Sequence, residues 1–530
     1  MSPGNRASRT VLLGIFATAL ILISGGYLYL RTNFVEALIR RSITHALEER
    51  FHSKVELADL HINAHRGVQI VGHNLSLRYH GGDDVPPLIQ VESFSFSAGL
   101  LSWLRPTKHI RLLRVQNMKI SIPPSDPAGA NSREFKSFLP AEASRIVIDR
   151  IICEHTELLI LPRQSGKVPL DWEIHNLILT SAGASQPFTF HGDLTNGKPV
   201  GEITTDGQFG PWNAEEPGNT PVSGQYAFND ANLNPLPGIG GILSSTGKYT
   251  GVLSQLEVEG VTDTPDFSLD ATGTPVPLHT DFSATVDGTN GDTRLHPVNG
   301  ILGKSLIVAE GSVMGVPNAP GHLITIEATV PNGRIQDFLE LATRSEKPIM
   351  TGPVKIKAKL VIPPGKEHVL DKISLDGQFG VEGANWSDSA MREKLESLSR
   401  HALGKPEAED VGSSVSDLRG DFFIRQGVLH FRKLSFRVEG AAVDVAGTYT
   451  LRQGSFDLAG HLTFQSKLSQ TVTGSKSFLL KPFDPFFAKK GAGTVLPIRI
   501  SGTRENPVFS VTVFHKSFEK PLKTEKAKSQ

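Results

Sequence analysis

The sequence predicts a mainly β protein in which an N-terminal transmembrane helix precedes an elongated antiparallel β-sheet with a few short helices. Three observations support this fold class. Residues 10–30 form an uninterrupted uncharged, mostly apolar stretch. From about residue 55 onward, apolar and polar residues alternate with a period of two, which is typical of strands that have one dry face. The chain also contains 51 Gly and 34 Pro, and turn signals between the alternating segments indicate many short strands.

The apolar stretch at residues 10–30 predicts a membrane anchor. Its 21 residues would form a helix of about 31 Å, which matches the hydrocarbon core of a bilayer. Arg9 and Arg31 bound the stretch, and Tyr27 and Tyr29 lie where interfacial aromatic residues are common. A cleaved signal peptide has a shorter apolar region and a polar mature start, so the pattern favours an uncleaved anchor.

The charges on either side of the anchor give conflicting signals about its orientation. Arg6 and Arg9 favour a cytoplasmic location for the tail at residues 1–9, whereas Arg31 and the basic residues after it favour the opposite. Long domains cross membranes largely regardless of charge. We therefore expect the tail inside and the body outside.

The composition excludes several classes of function. The chain carries 54 Lys and Arg against 54 Asp and Glu, and this neutrality argues against a nucleic-acid partner. Its 530 residues are too many for one ordinary core. The single cysteine, Cys153, can form neither an internal disulfide nor a thiolate metal cluster. It lies in an apolar run, which favours a small buried side chain over a reactive thiol.

Two segments have helical instead of strand periodicity. Residues 33–51 predict an amphipathic helix that begins at Asn33 and either packs on the first strands or lies at the membrane surface, and the two are compatible. Residues 386–412 predict a helix, capped by Ser387 or Asp388, followed by a polar loop. The lysine-rich residues 516–530 predict a disordered basic tail.

The alternation is clearest at residues 353–362, where apolar residues separate Lys355, Lys357 and Lys359. Such strands either pack face to face in sandwiches or curl into a groove whose apolar side binds acyl chains, and periodicity alone leaves both open. In the groove hypothesis, the lining includes Phe267, Leu269, Phe282, Val286, Ile324, Ile326, Val354, Ile356, Leu360, Ile362, Val443, Val445, Phe456, Leu458, Leu462 and Phe464.

No constellation of catalytic or metal-binding residues is present in the sequence. His61 and His65 have zinc-helix spacing, but their segment alternates like a strand, and Ile62 replaces the general-base carboxylate. The segment 287–292 resembles a calcium loop, but Val298 stands where the bidentate carboxylate belongs, which favours a hairpin turn. We therefore expect no enzyme activity, no cofactor and no metal.

Segments at both ends of the chain resemble the AsmA-like family. At the N-terminus, the order of anchor, amphipathic helix, residues 67–79 (GVQIVGHNLSLRY) and residues 87–123 is similar to the start of that family. The segments that resemble the AsmA-like C-terminal module are Ser416–Gly420, Leu434–Phe436, Ala441–Tyr449, Lys467–Gln470 and Asp484–Ile498. In between, the chain agrees with the family in pattern more than in motif.

The resemblance implies a single-pass inner-membrane protein of a diderm bacterium with its body in the periplasm. It implies a curved, groove-like sheet (a β-taco) over residues 52–385 and an AsmA-like module over residues 413–515, related to the TamB- and YhdP-type bridge-like lipid-transfer proteins. The implied role is phospholipid transport between membranes or outer-membrane biogenesis. The implied partners are phospholipid acyl chains, the inner membrane and outer-membrane assembly or envelope proteins.

The alternative to a lipid carrier is a periplasmic scaffold or regulator of outer-membrane protein assembly without lipid-carrying activity. The chain is short beside the large members of the family, which favours a need for a partner or an oligomer. The family has no catalytic residues to carry over, in agreement with the absence of a catalytic constellation in this sequence.

Overall fold

The computed structural model describes most of the chain. The described residues are 16–26, 33–51, 53–63, 69–79, 86–97, 107–122, 145–161, 169–182, 187–213, 215–269, 274–342, 347–409, 411–472, 481, 484, 493–503, 506–513 and 516–521. The chain divides into two compact units. The N-terminal unit comprises Met1–Asn229, Thr246–Val258 and Val286–Gly291, and the C-terminal unit comprises Asp230–Ser245, Glu259–Thr285 and Asp292–Gln530.

The described strands cover most of both units. They are β1 Ser53–Asn63, β2 Gln69–Tyr79, β3 Ile89–Ser97, β4 Thr107–Ile122, β5 Arg145–Ile160, β6 Leu170–Ala182, β7 Phe188–Gly197, β8 Val200–Phe209, β9 Pro221–Asn232, β10 Ile239–Gly240, β11 Ile242–Val252, β12 Gln255–Thr264, β13 Ser268–Leu269, β14 Leu278–Val286, β15 Thr293–Leu302, β16 Ser305–Gly315, β17 His322–Arg334, β18 Met350–Thr351, β19 Pro353–Ile362, β20 Ser374–Trp386, β21 Ser416–Arg425, β22 Val428–Val438, β23 Ala441–Thr450, β24 Ser455–Phe464, β25 Thr494–Thr503, β26 Pro507–Val513 and β27 Lys516–Pro521.

Helices make up a small part of the described chain. Besides residues 16–26, which are helical, they are α1 Asn33–Phe51, α2 Ile335–Ala342, α3 Val369–Lys372 and α4 Ser389–Ala402, with 3-10 turns at Pro217–Asn219 and Leu468–Thr471. The predicted helices at 33–51 and after Asp388 are confirmed. The carboxylate of Asp388 caps α4 by accepting a hydrogen bond from the Met391 backbone N–H at 2.7 Å.

The predicted mainly β fold is confirmed. In the described part of the chain, 25 strands join in one mostly antiparallel sheet, and β10 and β13 form a separate two-stranded sheet. The predicted antiparallel pairing holds for most of the sheet, and the exception is that β4 and β5 pair in parallel from Thr107↔Arg145 to Ile122↔Ile160. Parallel neighbours need a long return connection, and residues 123–144 between them are long enough to provide it.

The predicted membrane anchor lies only partly within the described residues. Residues 16–26 are helical with exposed side chains, and the rest of residues 10–30 lies outside the described part. Among the helices that the structure describes, none is both long enough and apolar enough to cross a membrane. The anchor and its orientation stay predictions.

The C-terminal tail differs from the prediction. Residues 516–521 form β27, which pairs antiparallel with β26, so the predicted disorder over residues 516–530 is wrong for this part. Residues 522–530 lie outside the described part of the chain. Lysine-rich sequence is compatible with a strand here because edge strands of natural sheets commonly carry lysine.

Helix α1 packs on the first strands of the N-terminal unit, as one of the two sequence-based interpretations predicted. Ile39 and Ile43 are buried in the same core cluster as Leu57 and Leu60 of β1. The cluster continues across the sheet, where the pairing places apolar side chains opposite one another. Cys153 of β5 belongs to it and is 1% exposed, which confirms the prediction of a buried cysteine.

Charged side chains of α1 also bond the backbone of strand β1. The Glu48 carboxylate accepts from the Val55 N–H, and the Glu36 carboxylate accepts from the Ile62 N–H, each at 3.3 Å. Between them, the Arg40 guanidinium donates to two backbone carbonyl oxygens of β1. Backbone groups of this strand that β2 does not bond are therefore satisfied by the helix, which protects a strand edge from pairing with another chain.

Candidate functional site: an apolar face of the C-terminal unit

The strands of the C-terminal unit align their apolar residues in register. Residues directly opposite each other in an antiparallel pair point to the same face of the sheet. One such row crosses nine strands, from β16 to β25, through Gly311, Ile326, Leu360, Leu375, Ile424, Leu429, Tyr449, Phe456 and Gly502. Side chains that share this side of strands β16, β17 and β19–β26 are called the apolar face below.

Neighbouring rows repeat the pattern on the same face. A second row runs through Ala309, Ala328, Ala358, Gly377, Phe422, Phe431, Gly447, Leu458, Ile500 and Phe509. A third runs through Val354, Val381, Leu418, Phe436, Val443, Leu462 and Leu496. The face stays apolar across β22 because its bulge between Phe431 and Leu434 contains one extra residue, which brings Phe431 and Leu434 to the same side of the sheet.

Most of the predicted lining residues lie on this one face. They are Ile324, Ile326, Val354, Ile356, Leu360, Ile362, Val443, Val445, Phe456, Leu458, Leu462 and Phe464. The other four do not lie on the strands that define this face. Leu269 pairs with Ile239 in the two-stranded sheet and is 37% exposed, and Phe267 immediately precedes that strand. Phe282 and Val286 lie on β14, on the same side as the buried Ala284.

Two helices cover one end of the apolar face. Phe338 and Leu339 of α2 pack against the cluster that contains Val354 and Val381. Helix α4 contributes Ala402 to the cluster that also contains the buried Val445, Leu462 and Phe464. At this end the apolar face is an ordinary closed core.

The other end of the face is more accessible. Leu360, Leu375, Ile424 and Phe456 are only partly buried, although all four are large apolar side chains in register with one another. Partly exposed apolar side chains in a continuous row form the kind of surface that binds apolar ligands.

Ion pairs between neighbouring strands cover the opposite face of the same sheet. The Lys359 ammonium lies 2.7 Å from the Glu327 carboxylate. Arg499 donates from two guanidinium nitrogens to the two carboxylate oxygens of Asp457, at 2.7 and 2.6 Å, and these bonds lower the pKa of Asp457. Acidic and basic side chains on this face therefore pair across neighbouring strands.

Asp376 is the centre of the largest of these charge networks. Its carboxylate accepts from Arg432 at 2.7 Å and from Arg425 at 2.6 Å, and Arg432 also donates to Asp421 at 2.8 Å. The hydrogen bonds from Arg432 and Arg425 lower the pKa of Asp376. One face of the sheet is therefore charged and solvated while the other is apolar.

The residues considered for metal or nucleophilic chemistry do not assemble into a site. Within the described residues, no three His, Cys, Asp or Glu side chains form a group that could hold a metal ion. His61 lies on β1, and His65 falls outside the described residues. The Asp287 carboxylate accepts from the Thr289 and Asn290 side chains within its own turn, which confirms the interpretation of this segment as a turn.

Sequence reasoning missed several members of the apolar face. Phe379, Phe422 and Phe431 lie on it, and the rings of Phe379 and Phe422 are 6.1 Å apart. The signal was available, because Leu418, Gly420, Phe422 and Ile424 alternate in the sequence. The adjacent Phe423 masks this alternation by adding an aromatic residue on the charged face, where it stacks on His430.

Neither a scan against protein-family models nor a search of curated proteins finds a match to this chain. The resemblance to the AsmA-like family stays a prediction from the sequence motifs.

Proposed function

We propose that the protein is anchored in the inner membrane and that its apolar face carries phospholipid acyl chains across the periplasm, in phospholipid transport or outer-membrane biogenesis. The observation that supports this proposal most strongly is the register. Apolar rows cross seven to ten strands in register, and the large apolar side chains of the row through Leu360 are only partly buried. In this proposal the sheet is groove-like, and the 10–30 segment holds it at the membrane.

The physical basis is the transfer free energy of an acyl chain. A chain of about 16 carbons gains about 0.8 kcal/mol for each CH₂ removed from water. Contacts between acyl groups and Leu, Ile, Val or Phe side chains have no preferred direction, so a bound chain can slide from one row to the next. The polar headgroup would remain in solvent beside the charged face.

The alternative is a scaffold or regulator of outer-membrane protein assembly that carries no lipid. The observation in its favour is that α2 and α4 close one end of the apolar face, as in an ordinary core. Strand edges would then recruit the partner.

The test compares one charge placed on each face of the sheet. Leu360→Asp introduces a carboxylate into the partly buried end of the apolar face, and Thr329→Asp introduces one on the opposite face, beside Lys357 of the next strand. Phospholipid bound per full-length chain is measured by native mass spectrometry, and circular dichroism verifies the fold. We expect a several-fold loss of bound lipid in Leu360→Asp alone, because an unpaired charge is unfavourable in an apolar lining. A folded Leu360→Asp variant with normal lipid content would exclude the carrier function.

A further inference from the structure

The burial of the apolar face changes in one direction along its strands. On β19, Val354 is 1% exposed, whereas Ile356 and Leu360 are partly buried. On β20, which runs antiparallel to β19, Val381 is 0% exposed and Leu375 at the other end is partly buried. Each of these strands therefore leads from a dry end to a solvent-accessible end.

Buried hydrogen bonds hold α2 over the dry end. The Asp337 carboxylate of α2 is buried and accepts from the Ser305 hydroxyl at 2.7 Å and from the Lys304 N–H at 3.0 Å. The N–H of Ile335, the first residue of α2, donates to the Gly352 carbonyl at 3.0 Å. Displacement of α2 would leave a buried carboxylate without its donors, which is unfavourable. Helix α2 is therefore a fixed part of this end.

Trp386 and α4 continue the closed edge across the later strands. The Trp386 indole N–H donates to the Ser416 hydroxyl at 2.9 Å, and the ring packs edge-on against Phe436 of β22 with 6.3 Å between centroids. The Ser399 hydroxyl of α4 is buried and donates to the Glu439 carbonyl at 2.7 Å. Helix α2, Trp386 and helix α4 are together called the floor of the apolar face below.

Polar side chains border the opposite, accessible end of the face. The segment that joins β19 to β20 lies at this end, and its residues Lys366, Glu367 and His368 are exposed. A phospholipid has the same arrangement, because the methyl end of its acyl chain is apolar and its headgroup is polar. The burial of the face therefore increases along the strands in the direction in which a bound lipid becomes less polar.

The accessible part of a strand is as long as an acyl chain. Ile356 packs against the α2 cluster, and Ile362 ends β19 on the same face. The six residue steps between them span about 20 Å. One leaflet contributes about half of the hydrocarbon core of a bilayer, or about 15 Å. A chain of ordinary length therefore fits between the floor and the accessible end.

We propose that a bound acyl chain lies along the strands, with its methyl end against the floor and its ester end beyond the row through Leu360, so that the floor limits the length of chain that the face accepts. This inference rests on the proposed function and adds the orientation and the chain length of the ligand. The headgroup then lies beside the polar segment between β19 and β20.

The experiment uses two photoreactive phosphatidylglycerols in native membranes that contain the full-length protein. One carries a diazirine at the methyl end of its acyl chain, and the other carries it next to the ester. Mass spectrometry of peptides locates the adducts. We expect the methyl-end probe to label α2 and Ile356, and the ester-side probe to label Leu360 and residues 363–373. The same labelled sites for both probes would overturn the orientation.

Competition by unlabelled phosphatidylglycerols of increasing chain length tests the limit that the floor sets. At equal mole fraction in the membrane, competition should be independent of length while the chain fits, and should then fall about fourfold for each CH₂ left in water. Phe338→Ala makes space in the floor and should move this limit to longer chains. Met391→Ala, at an exposed position on α4, is the matched control and should leave it unchanged.

Thermal unfolding verifies that both variants are folded, and the wild-type series decides the proposal by itself if Phe338→Ala is not. Competition that stays constant for all chain lengths would show that the floor sets no limit.

Failure of this inference differs from failure of the proposed function. Adducts that Leu360→Asp abolishes, but that lie at the same sites for both probes, overturn the orientation alone. No adducts from either probe, or adducts that persist unchanged in folded Leu360→Asp, contradict lipid binding by the apolar face and this inference with it.

Discussion

Cys153 illustrates how strand pairing determines the chemistry of one side chain. It lies opposite Val115 on β4 and Leu177 on β6. Burial raises the pKa of its thiol to about 12, so the thiol stays protonated near neutral pH. We expect no reaction with a maleimide at pH 8 in the folded protein and complete reaction after unfolding in guanidinium, measured by mass spectrometry. Rapid labelling of the folded chain would contradict this burial.

The ion pairs of Asp376 predict how the free energy of unfolding changes at acid pH. The pKa of Asp376 is lowered in the folded state. The ionised carboxylate therefore stabilises the folded protein above the unfolded-state pKa of about 4, and this stabilisation is lost as the pH falls through the folded-state pKa. Asp376→Asn should lower the free energy of unfolding at pH 7 by no more than about 1 kcal/mol, since the group is solvent-screened. The difference from the wild type should vanish at low pH.

Urea unfolding at pH 7 and at pH 2.5 measures this difference. Asp171→Asn, at an exposed position on β6, is the matched control and should change stability little at either pH. An Asp376→Asn variant whose deficit persists unchanged at acid pH would show that the Arg425 and Arg432 pairs do not stabilise the folded sheet.

Residue alternation in the sequence predicts side-chain direction but not strand partners. Val354, Ile356 and Leu360 alternate with lysines, and the structure places them on one face. Leu269 follows the same sequence pattern, yet its strand is only two residues long and pairs with β10. The register of a strand depends on the strand with which it pairs, and the local sequence does not specify that partner.

At the scale of elements, helix α1 should protect the edge of β1. Glu48→Ala removes the acceptor of the Val55 N–H, so this amide should exchange with deuterium about two- to tenfold faster, as expected for the loss of one hydrogen bond. Arg41→Ala, on the same helix, should leave Val55 exchange unchanged. Equal exchange in Glu48→Ala and the wild type would mean that the helix does not protect this edge.

Helix α4 should stabilise the closed end of the apolar face. Leu395 is 7% exposed, whereas Met391 on the same helix is 38% exposed. Leu395→Ala should lower the free energy of unfolding by about 2–4 kcal/mol through the cavity that it creates, and Met391→Ala should change it by less than about 0.5 kcal/mol. Chemical denaturation compares the two, and similar effects would contradict the packing of α4.

Some elements could be predicted from the sequence and others could not. Helix α4 has a capping aspartate, and both α1 and α4 have several turns of apolar periodicity, so their positions were predictable. Helix α2 has only eight residues, and its spacing of Ile335, Phe338 and Leu339 is too short to distinguish from a strand end. The parallel pairing of β4 with β5 was also unpredictable, because a buried strand has the same composition in either direction.

At the scale of the whole molecule, the sequence predicted two chemically different faces, and within the C-terminal unit the register aligns them strand by strand. The sequence left open whether the apolar side is a closed core or a lining. Val354 and Val381 are fully buried under α2, and Leu360 and Leu375, in register on the same two strands, keep access to solvent. One face therefore contains both a closed core and a solvent-accessible apolar surface, and the accessible surface supports the lipid proposal.

The measurement that tests the lipid proposal most directly is a photocrosslinking scan along β19 of the full-length protein in its native membranes. A photoreactive amino acid replaces each residue from Val354 to Leu360 in turn, and phospholipid adducts are identified by mass spectrometry. We expect adducts at Ile356, Ala358 and Leu360, strongest at Leu360, and none at Lys355, Lys357 or Lys359, because alternate residues of a strand point to opposite faces. An absence of lipid adducts at all positions, or equal yields on both faces, would contradict the apolar face as a lipid-binding surface.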